Sequence, residues 1–352
     1  MTRVINKMKL PAGFLRKTFF GGDNILKEET IELRKRSKAR TTAPFVTPGS
    51  TALIVGKEQR SIERITLPNI RIKCSVNPGD LWNDVGLEDL DYVRSTRGRE
   101  YNAQLQAHIG ERQVFLDHDI QNTEELMCSQ MLQGGFTYNE VGKDAFTIST
   151  GRPATHSVTV VDTWDTPTAF PEAQFTLAKQ LASEEASAAI TDVLMSGDAA
   201  LAFVANEGVQ RRLDLERFST GSLDLTKGYT NEGSVRYFGT FQGIRCWEYI
   251  RTLNTGSGVV DMIRPGWVEF ISRTSTAQMT THYAPITDDF DAIRGSGASM
   301  GSLVLRGGGA RVKRFSKSWQ SQDPTSIWVL MQSRPLPFIF EPGATVSMHV
   351  LP

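Results

Sequence analysis

Residues 97–135 read RGREYNAQLQAHIGERQVFLDHDIQNTEELMCSQMLQGG, a stretch without proline that ends in two glycines. Apolar residues recur in it at intervals of 4, 7, 4, 7 and 4, at Leu105, Ile109, Leu116, Ile120, Met127 and Met131. An 11-residue repeat corresponds to about 3.67 residues per turn, so these side chains stay on one face of a nearly straight helix. The pattern predicts one helix over residues 97–133, roughly 50 Å long, which the glycines end.

The composition excludes several classes of protein. The chain has 352 residues, and its 39 Lys and Arg balance its 39 Asp and Glu, so no net charge draws it to DNA or to an anionic membrane. Cys74, Cys128 and Cys246 lie far apart and outside any C-x-x-C pair, which argues against disulfides and zinc and fits a reducing cytosol. We find neither a signal peptide nor an apolar run of bilayer length, and therefore expect a soluble protein with no membrane partner.

A cationic stretch precedes the predicted helix. In TIELRKRSKART, residues 30–41, the alternation places Arg34, Arg36, Lys38 and Arg40 on one face of a strand. After a turn-rich segment, residues 70–76 alternate again, so we expect the two regions to be the arms of a long hairpin. Because this hairpin has little apolar surface of its own, it requires a partner. Three interpretations stay open: a solvated strand, a lid over a neighbouring subunit, or a strand that contacts phosphate.

The rest of the chain indicates an α+β protein. Pro171 begins a second predicted helix that extends to about Met195 and is ended by Gly197. Asp198 is expected to cap a third, short helix through Asn206, with Gly208 after it. Strands and glycine-rich turns follow to residue 352. Regular βαβ alternation is missing, which argues against a doubly wound cofactor-binding fold, so we expect no cofactor.

One catalytic motif occurs. Residues 297–301 match G-x-S-x-G around Ser299, and Asp323 and His349 follow in the order of an α/β-hydrolase triad. The motif leads into a strand-like segment, whereas a nucleophile elbow leads into a helix, and the histidines form no metal-ligand pair. We therefore expect no enzyme, no catalytic residue and no metal. A nucleic-acid-binding protein that uses strand 34–40 and, less favoured, a serine hydrolase with Ser299 are the alternatives.

Several segments together resemble one family. They are, in order, FLRKTFFGG, LPNIRIKCSVNPGDL, TEELMCSQMLQGGFTY, DAFTISTGRPATHSVTV, MSGDAALAFVANEGVQRRLD, HYAPITDDFDAI and the C-terminal KSWQSQDPTSIWVLMQSRPLPFIFEPGATVSMHV. Their order over some 330 residues resembles the phage lambda-type major capsid protein E family, the major head proteins of tailed phages. The chain departs from the family pattern at Ala284, where glycine is usual, and at Arg334, where a small residue is usual.

The resemblance implies a Hong Kong 97-type phage capsid fold. Its parts would be an N-terminal arm (1–29), an extended β-hairpin loop (30–77), a peripheral domain (78–170 and 290–352) with a spine helix (97–133), and an axial domain (171–289). Implied too is a structural protein of the virion that forms hexamers and pentamers, closes an icosahedral shell around double-stranded DNA, and assembles in the host cytoplasm. Portal, scaffolding and decoration proteins would be its further partners.

In such a shell, we expect Arg34, Arg36, Lys38 and Arg40 to contact an acidic surface of a neighbouring subunit rather than DNA. ASEEAS (182–187) and TDDFD (287–291) are the candidate acidic segments. The DNA would then be held without sequence preference.

Overall fold

The computed structural model describes residues 13–26, 28–37, 59–77, 99–138, 146–166, 169–216, 234–255, 258–274, 279–286, 312–322 and 325–352, which form an α+β structure. Its helices are α1 (Phe14–Thr18), α2 (Arg99–Leu132), α3 (Pro171–Ala186), α4 (Gly197–Ala205) and α5 (Glu207–Glu216). The strands of the N-terminal half are β1 (Gly22–Ile25), β2 (Thr30–Ser37), β3 (Gln59–Thr66), β4 (Ile70–Val76), β5 (Gly135–Tyr138), β6 (Phe146–Ser149) and β7 (Ser157–Thr159). Those of the C-terminal half are β8 (Asp192–Met195), β9 (Val235–Phe241), β10 (Ile244–Tyr249), β11 (Thr252–Asn254), β12 (Val259–Asp261), β13 (Trp267–Ile271), β14 (Met279–Tyr283), β15 (Arg314–Gln322), β16 (Thr325–Ser333), β17 (Pro335–Ile339) and β18 (Thr345–His349).

Helix α2 is the predicted long helix, and its apolar stripe is confirmed. Leu105 is half-buried, and the other five stripe residues are buried. Residues of the N-terminal part of the stripe pack with Val76, Val329 and Met331 on one face of the sheet β15-β16-β4. Met127 and Met131 belong to a second core, which also holds the N-terminal segment. The stripe therefore joins two cores along one helix.

The two glycines after α2 end it, as predicted. Gly134 has φ +117° and Gly135 has φ +142°, a region that L-residues with a side chain rarely adopt. A Cβ atom on Gly135 would lie 2.4 Å from the carbonyl oxygen of Ile148. The chain consequently turns at this point into β5, which pairs with β6.

A six-stranded sheet in the order β7-β18-β13-β8-β10-β9 forms the largest layer. Strand β8 is buried along its whole length, between β13 (antiparallel) and β10 (parallel). Phe175 of α3 and Phe203 of α4 stack with their ring centroids 5.5 Å apart, in the same core as Phe241 and Phe270 of the sheet. Helices α3 and α4 therefore pack on this sheet.

The N-terminal segment is built into the molecule. Strand β1 runs parallel to β14 in a small sheet with the order β1-β14-β17. Leu15 and Phe20 are fully buried, in the core that also contains Met131 and Leu132 of α2. Burial of two large apolar side chains contributes about 3–6 kcal/mol, so residues 13–26 are part of the fold.

The predicted hairpin pairing is wrong in its second arm. Strand β2 pairs with β3, whereas residues 70–76 form β4 and pair with β16. Ile70, Ile72 and Cys74 contact the core between β16 and α2, where more apolar surface is available than on a two-stranded hairpin. The second arm of the hairpin is instead β3, residues 59–66, which pairs antiparallel with β2.

The predicted helix from Pro171 to Met195 is too long. It ends at Ala186, and Ser187 adopts a left-handed conformation (φ 54°) at the C-cap. Residues 192–195 are drawn into β8 because two neighbouring strands bond to them, which overrides the helical spacing.

The caps of the short helices also differ from the prediction. The hydroxyl of Ser196, rather than Asp198, accepts from the first turn of α4, from Ala199 N at 3.4 Å. Asn206 then caps a further helix, α5, and accepts from the N–H of Gly208 at 3.0 Å, so Gly208 lies inside a helix.

Candidate assembly surfaces and the polar junction behind them

The cationic strand is β2, in a sheet that has two strands within the described residues. Arg34, opposite Ile62, and Arg36 occupy alternate positions of the β2–β3 ladder, as predicted. Lys38 and Arg40 lie outside the described residues. The structure thus places two of the four candidate residues on one strand and leaves their grouping with the other two a prediction.

The base of this hairpin is attached to the body of the protein. Ile65 and Leu67 are buried in the core that holds the N-terminal segment, and Ile31 packs against it. Above the base, Arg64 and Glu32 form an exposed ion pair at 2.8 Å. An exposed pair of this kind contributes about 0–1 kcal/mol, so it does not replace a core. Among the side chains that the structure describes in this hairpin, those at the base supply the burial, and a partner surface would add to it.

The two seven-residue gaps in the stripe of α2 hold buried polar side chains. Gln113 and Glu124 each follow an apolar stripe residue by four positions and lie eleven residues apart. The amide of Gln113 donates to the hydroxyl of Ser316 at 3.1 Å, and the guanidinium of Arg314 donates to Glu124 at 3.0 Å. Both partners lie on β15, so the gaps determine how this strand lies across the helix. Our sequence analysis missed these residues, although the gaps in the repeat were the signal.

Glu124 is the centre of a buried cluster of charged and polar groups. Arg16 lies 3.1 Å from its carboxylate, Arg314 donates to it, and the hydroxyl of Tyr283 donates at 3.4 Å. Arg314 also pairs with Asp117. Burial raises the pKa of Glu124, and the two arginines oppose that rise. The cluster joins α1, α2, β14 and β15.

The carboxylate of Glu125 binds backbone N–H groups of the first turn of α1. Its carboxylate accepts hydrogen bonds from Leu15 N at 2.6 Å, from Arg16 N at 3.0 Å and from the Tyr249 hydroxyl at 2.9 Å. The N–H groups at a helix start have no partner within the helix, so a buried acceptor is needed. Burial raises the pKa of Glu125, and the bonds from Arg16 N and Leu15 N partly oppose that rise. A single side chain of α2 thus anchors the N-terminal segment.

Arg152 caps the other end of α2. Its guanidinium donates to the carbonyl oxygens of Leu132 (2.9 Å) and Gln133 (3.1 Å), where the helix dipole is negative. The same guanidinium lies 3.6 Å from the carboxylate of Glu269 on β13. One side chain therefore connects the C-terminus of the helix to the centre of the six-stranded sheet.

Glu269 is fully enclosed at that connection. The hydroxyl of Ser347 on β18 donates to it at 2.5 Å, and Arg264 lies 4.0 Å away. Burial raises the pKa of Glu269 to about 7, with Arg152 as the main opposing influence. The carboxyl group of Glu269 therefore titrates near neutrality.

Further polar contacts fix the C-terminal half of α2. Arg251 donates to the side-chain oxygen of Asn122 at 2.6 Å. The carbonyl oxygen of Met262 accepts from Gln133 at 2.7 Å and from the hydroxyl of Ser129. Because the carboxylates of Glu124, Glu125 and Glu269 are buried and accept hydrogen bonds from other elements, they hold those elements together.

Of the three residues of the catalytic alternative, the structure describes His349. Ser299 and Asp323 lie outside the described residues, and His349 of β18 stacks on Trp267 with ring centroids 5.0 Å apart. In the described ranges, no group of three His, Cys, Asp or Glu side chains is placed to hold a metal ion. Nor does any described helix have the length and apolarity needed to cross a bilayer.

The exposed surface carries large apolar side chains on several elements. Val161 is 94% exposed, Leu201 of α4 is 72% exposed, and Val259 of β12 is 70% exposed. Of the two candidate acidic segments, residues 182–187 form the end of α3, where Glu184 and Glu185 are exposed, and residues 287–291 lie outside the described residues. Apolar and acidic side chains are thus both available for contacts between copies.

Comparison with known proteins agrees with this architecture. The sequence profile of phage major capsid protein E matches residues 1–350. A crystal structure described as a prophage capsid protein of Escherichia coli CFT073 is similar over 96% of this chain and 93% of that one, with a TM-score of 0.65 and 15% identity. The mature capsid of bacteriophage PhiM1 (TM-score 0.52, 11% identity, 96% and 87% covered) is similar as well.

A phage-related protein of Bordetella bronchiseptica RB50 gives a TM-score of 0.50 at 12% identity, with 96% of this chain and 92% of that chain covered. No curated protein sequence matches the chain. At these identities the structural likeness establishes the fold, while the profile covers almost the whole sequence.

Proposed function

The chain belongs to the phage major capsid protein E family, and from that premise we propose that it assembles as hexamers and pentamers into an icosahedral shell around double-stranded DNA. It is a structural capsid protein of a tailed phage or prophage, a component of the virion with the Hong Kong 97-type fold. The comparisons give no support to a serine hydrolase or to a dedicated nucleic-acid-binding protein. The profile match over residues 1–350 is the observation that carries the proposal.

We assign the parts of the fold to the domains of such a subunit. Residues 1–29 would be the arm, 30–77 the extended loop, 78–170 with 290–352 the peripheral domain, and 171–289 the axial domain. Helix α2 would be the spine helix of the peripheral domain. Strand β18 of the peripheral part pairs with β13 of the axial part, so the two parts would share a sheet and move little against each other.

Shell closure requires one subunit to contact several others through different surfaces. Contacts of this heterologous kind can each be small, because each recurs around the shell. Portal and scaffolding proteins would add contacts during assembly in the host cytoplasm, and decoration proteins would add them on the finished shell. The packaged DNA would be held through phosphate contacts without sequence preference.

We propose that the cationic strand is one of these contacts. Arg34, Arg36, Lys38 and Arg40 would lie against an acidic surface of a neighbouring subunit, since complementary charge selects the partner and the register. The burial of Ile65 and Leu67 at the base of the β2–β3 hairpin and the exposed ion pair between Glu32 and Arg64 above it support this assignment.

A charge-reversal variant tests the contact. Changing Arg34, Arg36, Lys38 and Arg40 to Glu should leave the subunit folded by circular dichroism and should abolish shells in electron micrographs. Empty shells at the wild-type yield would refute an intersubunit role for this strand. A parallel assay of DNA retention then separates a DNA contact, where retention falls, from a solvated strand, where nothing changes.

The shell itself is tested on the unmodified protein. We expect sedimentation and negative-stain micrographs of the purified chain to show rings, polymers or closed particles as concentration rises. A monodisperse monomer at every concentration and ionic strength would contradict the proposed function.

A further inference from the structure

The sheet β15-β16-β4 has two faces, and α2 covers one of them. The strand register defines the other, which we name the outer sheet face. Residues directly opposite in the ladder share a face, so this one forms three rows across the strands. The rows contain Ser75, Trp328 and Trp319 in the first, Lys73, Leu330 and Lys317 in the second, and Arg71, Gln332 and Phe315 in the third.

The third row and the middle of the second are covered by the protein itself. Phe315 and Leu330 are buried in a small cluster with Ile286, and Val312 packs against it. At the opposite end of the face, Trp319 is 37% exposed. The open part of the outer sheet face therefore comprises the first row, with its two neighbouring indole rings, and the exposed cations of β4 beside it.

A cation lies against one of these rings, and β4 carries a second. The ammonium of Lys73 lies 4.5 Å from the centre of the Trp328 ring, and Arg71 is exposed on the same strand. The three strands contain no Asp or Glu at all. Tryptophan and arginine are enriched where protein interfaces hold most of their binding energy, and a cationic face selects an anionic partner. Duplex DNA keeps its base faces stacked, so it would use the cations and leave the two tryptophans without a role.

The chain itself presents a surface of the opposite character. On α3, Leu177, Gln180 and Glu184 are exposed at a spacing that places them on one side of the helix, and Glu185 follows. Glu341 lies at the same end, close enough for its carboxylate to be affected by Glu185. This helix face offers one apolar anchor and a group of carboxylates.

We propose that the outer sheet face of one subunit binds the exposed face of α3 of a second copy, with Leu177 against Trp319 and Glu184 and Glu185 against Lys73 and Arg71. The contact rests on the proposed function, because a shell supplies the second copy. It is heterologous, as two different surfaces of the same chain meet, so it can repeat around a ring. Because residues 182–187 would be engaged in this contact, residues 287–291 remain the candidate acidic segment for the cationic strand.

Charge exchange tests this pairing in DNA-free buffer. We expect the variant R71E/K73E, and separately E184K/E185K, to form shells at a yield at least about tenfold below wild type, because like charges then face each other. Combining the four changes should restore shells, since the charges are complementary again. Circular dichroism establishes that each variant is folded, and either variant alone suffices if the other does not fold.

The outcomes separate this inference from the proposed function. Wild-type yields from both charge reversals, or no recovery in the combined variant, would overturn the contact while wild-type shells uphold the capsid role. Normal empty shells with reduced DNA retention in R71E/K73E would assign the face to DNA and also overturn it. A wild-type chain that stays monomeric would overturn both. As an independent readout, we expect a W319C/L177C variant to form disulfide-linked subunits on oxidation, and their absence in assembled particles would count against the contact.

Discussion

Replacing Glu125 by alanine tests whether one side chain of α2 anchors the N-terminal segment. Glu125 is fully buried and accepts from Leu15 N, Arg16 N and the Tyr249 hydroxyl at distances between 2.6 and 3.0 Å. Alanine would leave these three donors enclosed without an acceptor. An unsatisfied buried donor costs about 1–3 kcal/mol, but loss of the buried carboxylate also removes its own desolvation cost. We therefore expect a decrease in the free energy of unfolding of about 3–5 kcal/mol.

The assay is urea unfolding of dissociated subunits, with limited proteolysis of residues 13–26 as the local readout. Glu125→Gln keeps one acceptor oxygen and should cost about half as much. Glu111→Ala is the matched control on the same helix, because Glu111 has a side chain that is 69% exposed and should change stability by about 0.5 kcal/mol or less. A loss below about 1 kcal/mol in Glu125→Ala, with the segment still protected, would refute the anchoring role.

Three further predictions follow from the same structure. Ile120→Pro removes a backbone donor at a fully buried position of α2 and should cost about 3 kcal/mol or more. We therefore expect insoluble or unassembled chain on sedimentation, and normal shells would contradict a continuous helix. Gly135→Ala should strongly lower the free energy of unfolding in urea, since its Cβ would lie 2.4 Å from a carbonyl oxygen. Gly110→Ala, which has open space around its Cβ, should instead stabilise the protein by about 0.5–1 kcal/mol. Equal effects of the two changes would refute the steric argument. The raised pKa of Glu269, about 7, makes its charged form unfavourable in the folded state. The stability of wild type relative to Glu269→Gln should therefore fall by roughly 2–3 kcal/mol from pH 5 to pH 8. A constant difference would show that Glu269 does not titrate in this range.

The pH prediction has a defined sign. A carboxyl group whose folded pKa lies above its usual value binds more protons in the folded state than in the unfolded state. Its contribution is therefore most favourable at low pH and is lost as the pH rises from about 4.5 through 7. Burial lowers the pKa of His282, which acts in the opposite direction because its uncharged form is favoured when folded. Comparison with Glu269→Gln removes that second contribution, since both proteins retain His282.

Local patterns were sufficient for a large part of the fold. The 11-residue repeat predicted α2, its glycine stop and its buried face, because helical periodicity depends on neighbours within a few turns. The same repeat also marked two polar positions that our sequence analysis did not use. Its two gaps, at Gln113 and Glu124, were positions where a buried polar side chain must find a partner.

Periodicity identified strands more reliably than it identified their partners. Residues 30–37 and 70–76 are both strands, but they lie in different sheets. Residues 192–195 have a spacing that continues the preceding helix, yet two flanking strands bond to them. A strand's alternation records that one side is buried without recording what covers it, so its partner depends on competition among distant segments.

By itself, the sequence determined the α+β class, the long helix α2, the cationic strand and, through a family resemblance over most of the chain, the capsid role. Tertiary structure alone decided that Glu125 receives α1, that Arg152 joins the helix terminus to Glu269, and that Lys73 lies against Trp328. Glu125 and Leu15, Arg152 and Glu269, and Lys73 and Trp328 are each more than one hundred positions apart in the chain. Helical periodicity arises from adjacent turns and can be read locally, whereas a buried charge or an indole ring acquires its role only when folding brings a distant partner to it.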